Sequence, residues 1–157
     1  MKINNGLSEK NVGQLIDYAN NDETVRKYTS DPKRFKDREN FENWLKKDRK
    51  IYSLVDKKGN LMGISWFGAE GEGFTFALRI YGEARGRGLG YEFLKETMNK
   101  FMQLDDYKNA KNQEWWLETS KENVAAIKIY EKCGFVFETE GESLEKLIFR
   151  RRPGFES

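Results

Sequence analysis

The six residues Arg85-Gly86-Arg87-Gly88-Leu89-Gly90 bring two guanidinium groups and three glycines together. That combination suits an anion. Upstream, Phe74, Phe76, Leu78 and Ile80 alternate with Thr75, Ala77, Arg79 and Tyr81, the period of a half-buried strand. Downstream, Leu94, Met98, Phe101 and Met102 recur at helical spacing, so the glycines fall between a strand and a helix. A helix N-terminus presents unpaired N–H groups and a partial positive charge, and glycines let a phosphate approach that backbone closely. A pyrophosphate cradle is expected, against the alternative of a glycine-rich turn with solvated arginines. Two nucleotide motifs drop out. The dinucleotide fingerprint G-x-G-x-x-G would need glycine at Tyr91 or Phe93, and no Gly-Lys-Ser/Thr end of a P-loop occurs in the chain.

A second constellation lies in Asn123-Val124-Ala125-Ala126-Ile127-Lys128-Ile129-Tyr130-Glu131-Lys132-Cys133-Gly134-Phe135. Asn123 and Tyr130 are seven residues apart, about two helical turns, so they share one face and their polar atoms can line one groove. Packed inward, Tyr130 would be an ordinary core aromatic. Spacing alone leaves both readings open.

The chain has no histidine. That removes Ser-His-Asp and Cys-His catalysis, the commonest general base, and most transition-metal sites. The single cysteine, Cys133, excludes an internal disulfide and leaves too few thiols for a zinc cluster, so no metal is expected. Proton transfer falls to carboxylate, tyrosine, lysine, cysteine or water. A net charge of +2 provides no basic field, so no nucleic-acid partner is expected. There is no membrane-length apolar run and no apolar core of a secretory signal, which suggests a cytoplasmic protein without a membrane partner. At 157 residues, 34% charged and 38% hydrophobic, the sequence reads as a single domain, 1–157.

Elements must hold these two groups in place. Residues 1–7 suggest a short strand, and Ser8 an N-cap for a helix with Val12, Leu15, Ile16 and Ala19 on its apolar stripe. Asn20 to Asp37 reads as a polar loop with one helical turn at most. Asp37 is placed to cap a helix that packs Phe41, Trp44 and Leu45 inward. Ile51–Val55 and Leu61–Gly68 read as a hairpin around Asp56-Lys57-Lys58-Gly59-Asn60, and Ala69–Gly73 as the turn into the next strand. Trp115–Leu117 reads as a buried strand after a polar connection over Asp105–Asn112. A helix from Asn123 to Lys132 carries Ala126, Ile129 and Tyr130 inward, with Cys133 next and Gly134 ending it. Phe135–Phe137 and Leu147–Phe149 are the last strands, and Arg150-Arg151-Arg152 reads as a solvated tail. Strands interleaved with helices imply a mixed α/β domain.

The first constellation resembles the Arg/Gln-x-x-Gly-x-Gly/Ala signature of the GNAT acetyltransferase superfamily. The second, with its asparagine, tyrosine and terminal Gly-Phe, resembles that family's other signature, in the same order and at a usual separation. The resemblance implies a GNAT acyltransferase fold, α/β with a central mixed and mostly antiparallel sheet flanked by helices. It implies acetyl-CoA as co-substrate and a primary amine as acceptor. Arg85, Gly86, Arg87, Gly88, Leu89 and Gly90 would then hold the pyrophosphate. The backbone of Leu78, Arg79 and Ile80 would pair with pantetheine, the Ile80 N–H reaching the thioester oxygen, a contact that stabilises a developing oxyanion. Asn123 would contact the coenzyme and Tyr130 would also protonate the departing thiolate, since a phenol of pKa ~10 carries its proton at neutral pH. The amine must be neutral to attack. An α-amino group of pKa ~8 lies nearer that state than a lysine of ~10.4. Glu118 is the candidate base, where related N-terminal acetyltransferases carry a glutamate; otherwise it completes a strand end. Gly82 departs from the family, in which proline is frequent there.

The acceptor stays open among a peptide N-terminus, an aminoglycoside, a polyamine and another small amine, for a monomer or homodimer. The Asp22–Trp44 region resembles the corresponding part of ribosomal-protein N-terminal and aminoglycoside acetyltransferases without choosing between them. A catalytically silent acyl-CoA-binding regulatory module is the rival of another class. A nucleic-acid binder built on Arg150–Arg152 has too few phosphate contacts to compete.

Overall fold

Short polar side chains start three of the helices in the computed structural model, which describes residues 1–71, 73–141 and 146–151. After strand β1 (Lys2–Asn5), Ser8 accepts a hydrogen bond from the Asn11 N–H and opens α1 (Glu9–Asn21). Asp22 accepts from the Thr24 and Val25 N–H groups and opens α2 (Glu23–Tyr28). A single turn, α3 (Asp31–Arg34), follows with Pro32 in its first turn, where the missing N–H costs nothing. Asp37 then accepts from Asn40 and opens α4 (Arg38–Leu45). The expected loop over Asn20–Asp37 is therefore largely helical. Its helices are too short to show an apolar period; Asp22 caps the first, and Pro32 stands in the first turn of the second.

The remaining elements are β2 (Lys50–Val55), β3 (Leu61–Glu70), β4 (Gly73–Ile80), α5 (Leu89–Met102), β5 (Trp115–Ser120), α6 (Val124–Lys132), β6 (Val136–Glu140) and β7 (Lys146–Arg151). The seven strands hydrogen-bond in the order β1-β2-β3-β4-β5-β7-β6. β1 runs antiparallel to β2, and β7 antiparallel to both β5 and β6, while β4 and β5 are parallel where they begin, Phe74 opposite Trp115. The sheet is mixed and mostly antiparallel. Several strands run longer than their sequence suggests, β3 through Glu70 and β5 through Ser120.

Two compact units divide the chain, and each has its own core. The first comprises Met1–Trp66 with Leu78–Leu89. Val12, Leu15 and Ala19 of α1 are buried as expected. An aromatic cluster joins them: Phe35 meets Trp44 edge-on at 4.8 Å, and Trp44 meets Trp66 at 5.0 Å. Burying each such side chain is worth about 1.5–3 kcal/mol. Leu45 does not join them. It ends α4 on the outer side and is 45% exposed, contrary to the expectation for it. Asn11, buried, ties α1 to the β2–β3 hairpin by donating to the Gly59 carbonyl at 2.9 Å.

The second unit comprises Phe67–Ala77 with Gly90–Ser157. Phe67 stacks on Phe101 at 5.3 Å and meets Trp115 at 6.0 Å. Trp115 is fully buried, and its indole N–H donates to the Ala110 carbonyl at 2.9 Å. α6 closes at Gly134, whose φ of +91° lets the Gly134 N–H reach the Glu131 carbonyl and the Phe135 N–H the Tyr130 carbonyl. Paired bonds of that kind satisfy the last carbonyls of a helix. The tail reading of Arg150–Arg152 fails for its first two residues. Both belong to β7 opposite Trp116 and Trp115, and Arg151 is only 3% exposed, its guanidinium lying over Phe135 and donating to Met98 Sδ. Arg152 lies outside the described residues, as do Glu72 of the expected turn before β4 and residues 142–145 between the last two strands. In β6, Glu138 is an extra residue: Phe137 faces Phe149 and Thr139 faces Ile148, so the ladder bulges there.

Candidate active site

The loop between β4 and α5 has two glycines in the left-handed region, Gly86 at φ +73° and Gly88 at φ +74°. A Cβ on either would meet nothing within 4 Å, so the backbone angle is what calls for glycine. Gly86, Arg87 and Gly88 are exposed, and the Gly86 and Gly88 N–H groups donate to no protein acceptor among the described residues. Helix α5 follows at Leu89, with Gly90 in its first turn adding unpaired helix N–H groups. The Arg87 side chain is exposed and paired with no described residue. A run of unsatisfied donors at the start of a fourteen-residue helix suits a pyrophosphate group.

Arg85 behaves differently. Its Nη2 lies 2.6 Å from both carboxylate oxygens of Asp22. Asp22 also accepts from the Gly82 N–H at 3.3 Å while capping α2. Burial pushes the Asp22 carboxyl up, but the Arg85 hydrogen bond, those from the Val25 and Gly82 N–H groups, and the Arg85 charge outweigh it and hold the group below the usual carboxylate value. Gly82 has φ +48°. Proline, fixed near φ −65° and lacking an N–H, could supply neither that angle nor that bond. The departure at Gly82 thus exchanges a stiff ring for an anchored N–H.

Arg79, six residues earlier on β4, is held the same way. Its Nε and Nη2 reach the two oxygens of Asp31 at 2.8 and 3.2 Å, and Arg34 adds a third contact at 3.1 Å. Asp31 is fully buried, and the Arg79 guanidinium lies 5.2 Å from the Trp66 ring centre. Beside them Tyr81 stacks on Tyr18 at 4.3 Å with planes 4° apart, and burial pushes its phenol well above the usual range. The strand's backbone has a clear polarity. The Tyr81 N–H donates to the Met62 carbonyl, and the Arg79 carbonyl faces Gly63 of β3. Alternation then turns the N–H and C=O of Leu78 and Ile80 to the other edge of β4.

In the second unit, Asn123 caps α6 without a side-chain hydrogen bond, so its amide is not spent on the helix. Tyr130 is 7% exposed and meets Phe76 edge-on at 5.6 Å. The ring is therefore built into this unit's aromatic core, which the sequence could only weigh as an alternative. Glu118 lies within β5 rather than at its end, opposite Ile148 of β7. It is exposed while Leu117 and Thr119 on either side are buried, and it pairs with no described residue. An open hollow of about 230 Å³ in this unit, lined by Phe74, Tyr107 and Gln113 among others, includes none of the nominated residues. Sequence reasoning missed Asp22 and Asp31. Capping position hints at Asp22 alone, and the partners Arg79 of Asp31 and Arg85 of Asp22 lie 48 and 63 residues away.

Comparison with solved structures shows the fold. A Streptococcus mutans UA159 protein superposes with a TM-score of 0.75 at 17% identity, covering 97% of this chain and 99% of that one. A spermidine N-acetyltransferase from Vibrio cholerae, solved in complex with CoA and spermine, superposes with a TM-score of 0.72 at 20% identity, over 95% and 92% of the two chains. A Bacillus halodurans protein gives 0.73 at 19% identity, over 96% and 82%. No curated protein sequence matches the chain. The family sequence model described as an acetyltransferase (GNAT) domain matches residues 6–136, most of the length and both constellations up to Phe135, and the chain thereby belongs to the GNAT acetyltransferase family.

Proposed function

We propose that this chain acts as a single-domain N-acetyltransferase, moving an acetyl group from acetyl-CoA to a primary amine. The observation that carries the reading is the donor-rich loop from Gly86 to Gly88 running into the N-terminus of α5. The unclaimed N–H groups of Gly86 and Gly88 and the exposed Arg87 fit the pyrophosphate, and Leu89 and Gly90 continue the cradle into the helix. Acetyl-CoA would supply the thioester whose carbonyl carbon the amine attacks directly. The outward-turned backbone of Leu78 and Ile80 would pair with the pantetheine arm, and the Ile80 N–H would donate to the carbonyl oxygen as negative charge grows there. The Asn123 amide, uncommitted within its helix, would hold the coenzyme. Tyr130 Oη–H would give its proton to the sulfur as the carbon–sulfur bond breaks. Glu118, directly or through water, would take the proton that the amine loses.

A primary amine is the acceptor class, and the V. cholerae protein that was solved with spermine supports including polyamines within it. Coenzyme thiol release should be followed over peptides with free N-termini, polyamines, aminoglycosides and small amines. Release with at least one amine, and a matching acetylated product by mass, is the expected result. Coenzyme binding without turnover on any amine would favour the silent acyl-CoA-binding module instead.

A further inference from the structure

We propose that Asp22 is a positioning residue for coenzyme binding, acting through Arg85 as a strut that sets the conformation of the phosphate loop. The proposal rests on the acetyl-CoA reading above. Asp22 is the single residue between α1 and α2, its own N–H donating back to Tyr18 while its carboxylate caps α2. The same carboxylate grips the loop at two points, the Gly82 N–H and the Arg85 guanidinium. These grips bracket the 3-10 turn Gly82–Ala84, after which the glycine run begins at once. Fixing both ends of that turn fixes the direction in which Gly86, Arg87 and Gly88 present their N–H groups.

The obvious role for Arg85 is a direct charge on the phosphate, and the geometry argues against it. Its side chain is one-third exposed, whereas that of Asp22 is 6% exposed. Moving the guanidinium to a phosphate would leave a buried carboxylate without its cation, a costly exchange. Arg87 has no such partner and is available to the ligand. The division of labour is one arginine for scaffold and one for charge.

The two roles predict opposite signs for one substitution. Asp22→Asn keeps an oxygen that can cap α2 but surrenders the ion pair. If Arg85 is a strut, Asp22→Asn and Arg85→Ala each weaken CoA binding by about 10- to 100-fold, the worth of a hydrogen bond to a charged group. The double variant is then no weaker than either single one, because both break the same link. If Arg85 binds phosphate directly, Asp22→Asn releases it toward the ligand, and affinity is unchanged or higher. Calorimetric titration with CoA, alongside a melting curve, separates these outcomes. Asp22→Ser, which also caps helices well, serves if the asparagine variant fails to fold. Acetyl-pantetheine, which lacks the pyrophosphate, should bind wild type and variants alike, and equal loss for both ligands would mean general damage and overturn the proposal. Wild-type protein that binds no CoA would instead refute the underlying coenzyme reading.

Discussion

Gly88→Ala tests the cradle with an internal control. Gly88 at φ +74° and Gly59 at φ +80° are conformationally alike, and a Cβ on either meets nothing within 4 Å. Steric crowding therefore drops out of the comparison. Placing alanine in the left-handed region costs about 1–2 kcal/mol, and restricting the unfolded chain returns about 0.4–1 kcal/mol. The net loss of about 1 kcal/mol corresponds to a Tm lower by about 2–4 °C for a chain of this size. Gly59→Ala, in the β2–β3 turn, should show that drop and nothing else. Gly88→Ala should show a similar drop if the loop holds its shape, with a methyl group added where the phosphate approaches. If the loop relaxes instead, the melting temperature recovers but the N–H groups turn away. Either route weakens CoA binding, by about 10-fold or more if a single charge-assisted hydrogen bond is lost. Titration calorimetry on both variants reads affinity, and scanning calorimetry reads stability. Equal CoA affinity in Gly59→Ala, Gly88→Ala and wild type would refute the assignment of this loop to phosphate.

Tyr130→Phe keeps the ring against Phe76 and removes one hydroxyl; single-turnover acetylation should slow by about 100- to 10,000-fold with CoA affinity little changed, and a full rate would end the role of Tyr130 as acid. Gly63→Ala places a Cβ 2.8 Å from the Arg79 carbonyl, so β4 must shift where Arg79 and Ile80 lie. A stability loss of about 1–3 kcal/mol is expected in denaturant titration, with raised KM for acetyl-CoA, and an unchanged KM would separate this part of β4 from the coenzyme. Asp22 predicts acid sensitivity. Its folded pKa lies below the unfolded value, so its contribution to stability is complete above that value and is lost as pH falls through the folded one. The stability gap between wild type and Asp22→Asn should therefore shrink below about pH 4 in melting curves, and a gap independent of pH would contradict the Asp22–Arg85 pair.

What the sequence disclosed follows from the range of the interactions involved. The glycine loop, the Asn123–Tyr130 spacing and the Gly134 stop are local, and each sits where its residues place it. The Asn20–Asp37 stretch was opaque because six- and four-residue helices carry no period, and their reason for existing lies partly in Arg79 and Arg85, far along the chain. Leu45 misled because helical spacing says which residues share a face and not where the helix ends. Arg151 misled for the opposite reason. Three adjacent arginines look solvated, yet pairing with β5 turns the middle one under the sheet, where burial pushes its guanidinium down to about 10. Glu118 looks like a strand terminus in the sequence because the apolar signal stops at Leu117, while the backbone ladder continues to Ser120.

The outer border of the sheet has a consequence for how the chain behaves in a crowd. β6 is exposed along its whole length, with Val136 at 68% and Phe137 at 51%, and a bare strand of that kind is a template for recruiting further strands. The bulge at Glu138 breaks the regular spacing of donors and acceptors that a newcomer would need, and Arg150 anchors the Glu138 carboxylate so that the irregularity persists. A single inserted residue thus works against sheet growth at this edge, where apolar side chains stand on the perimeter.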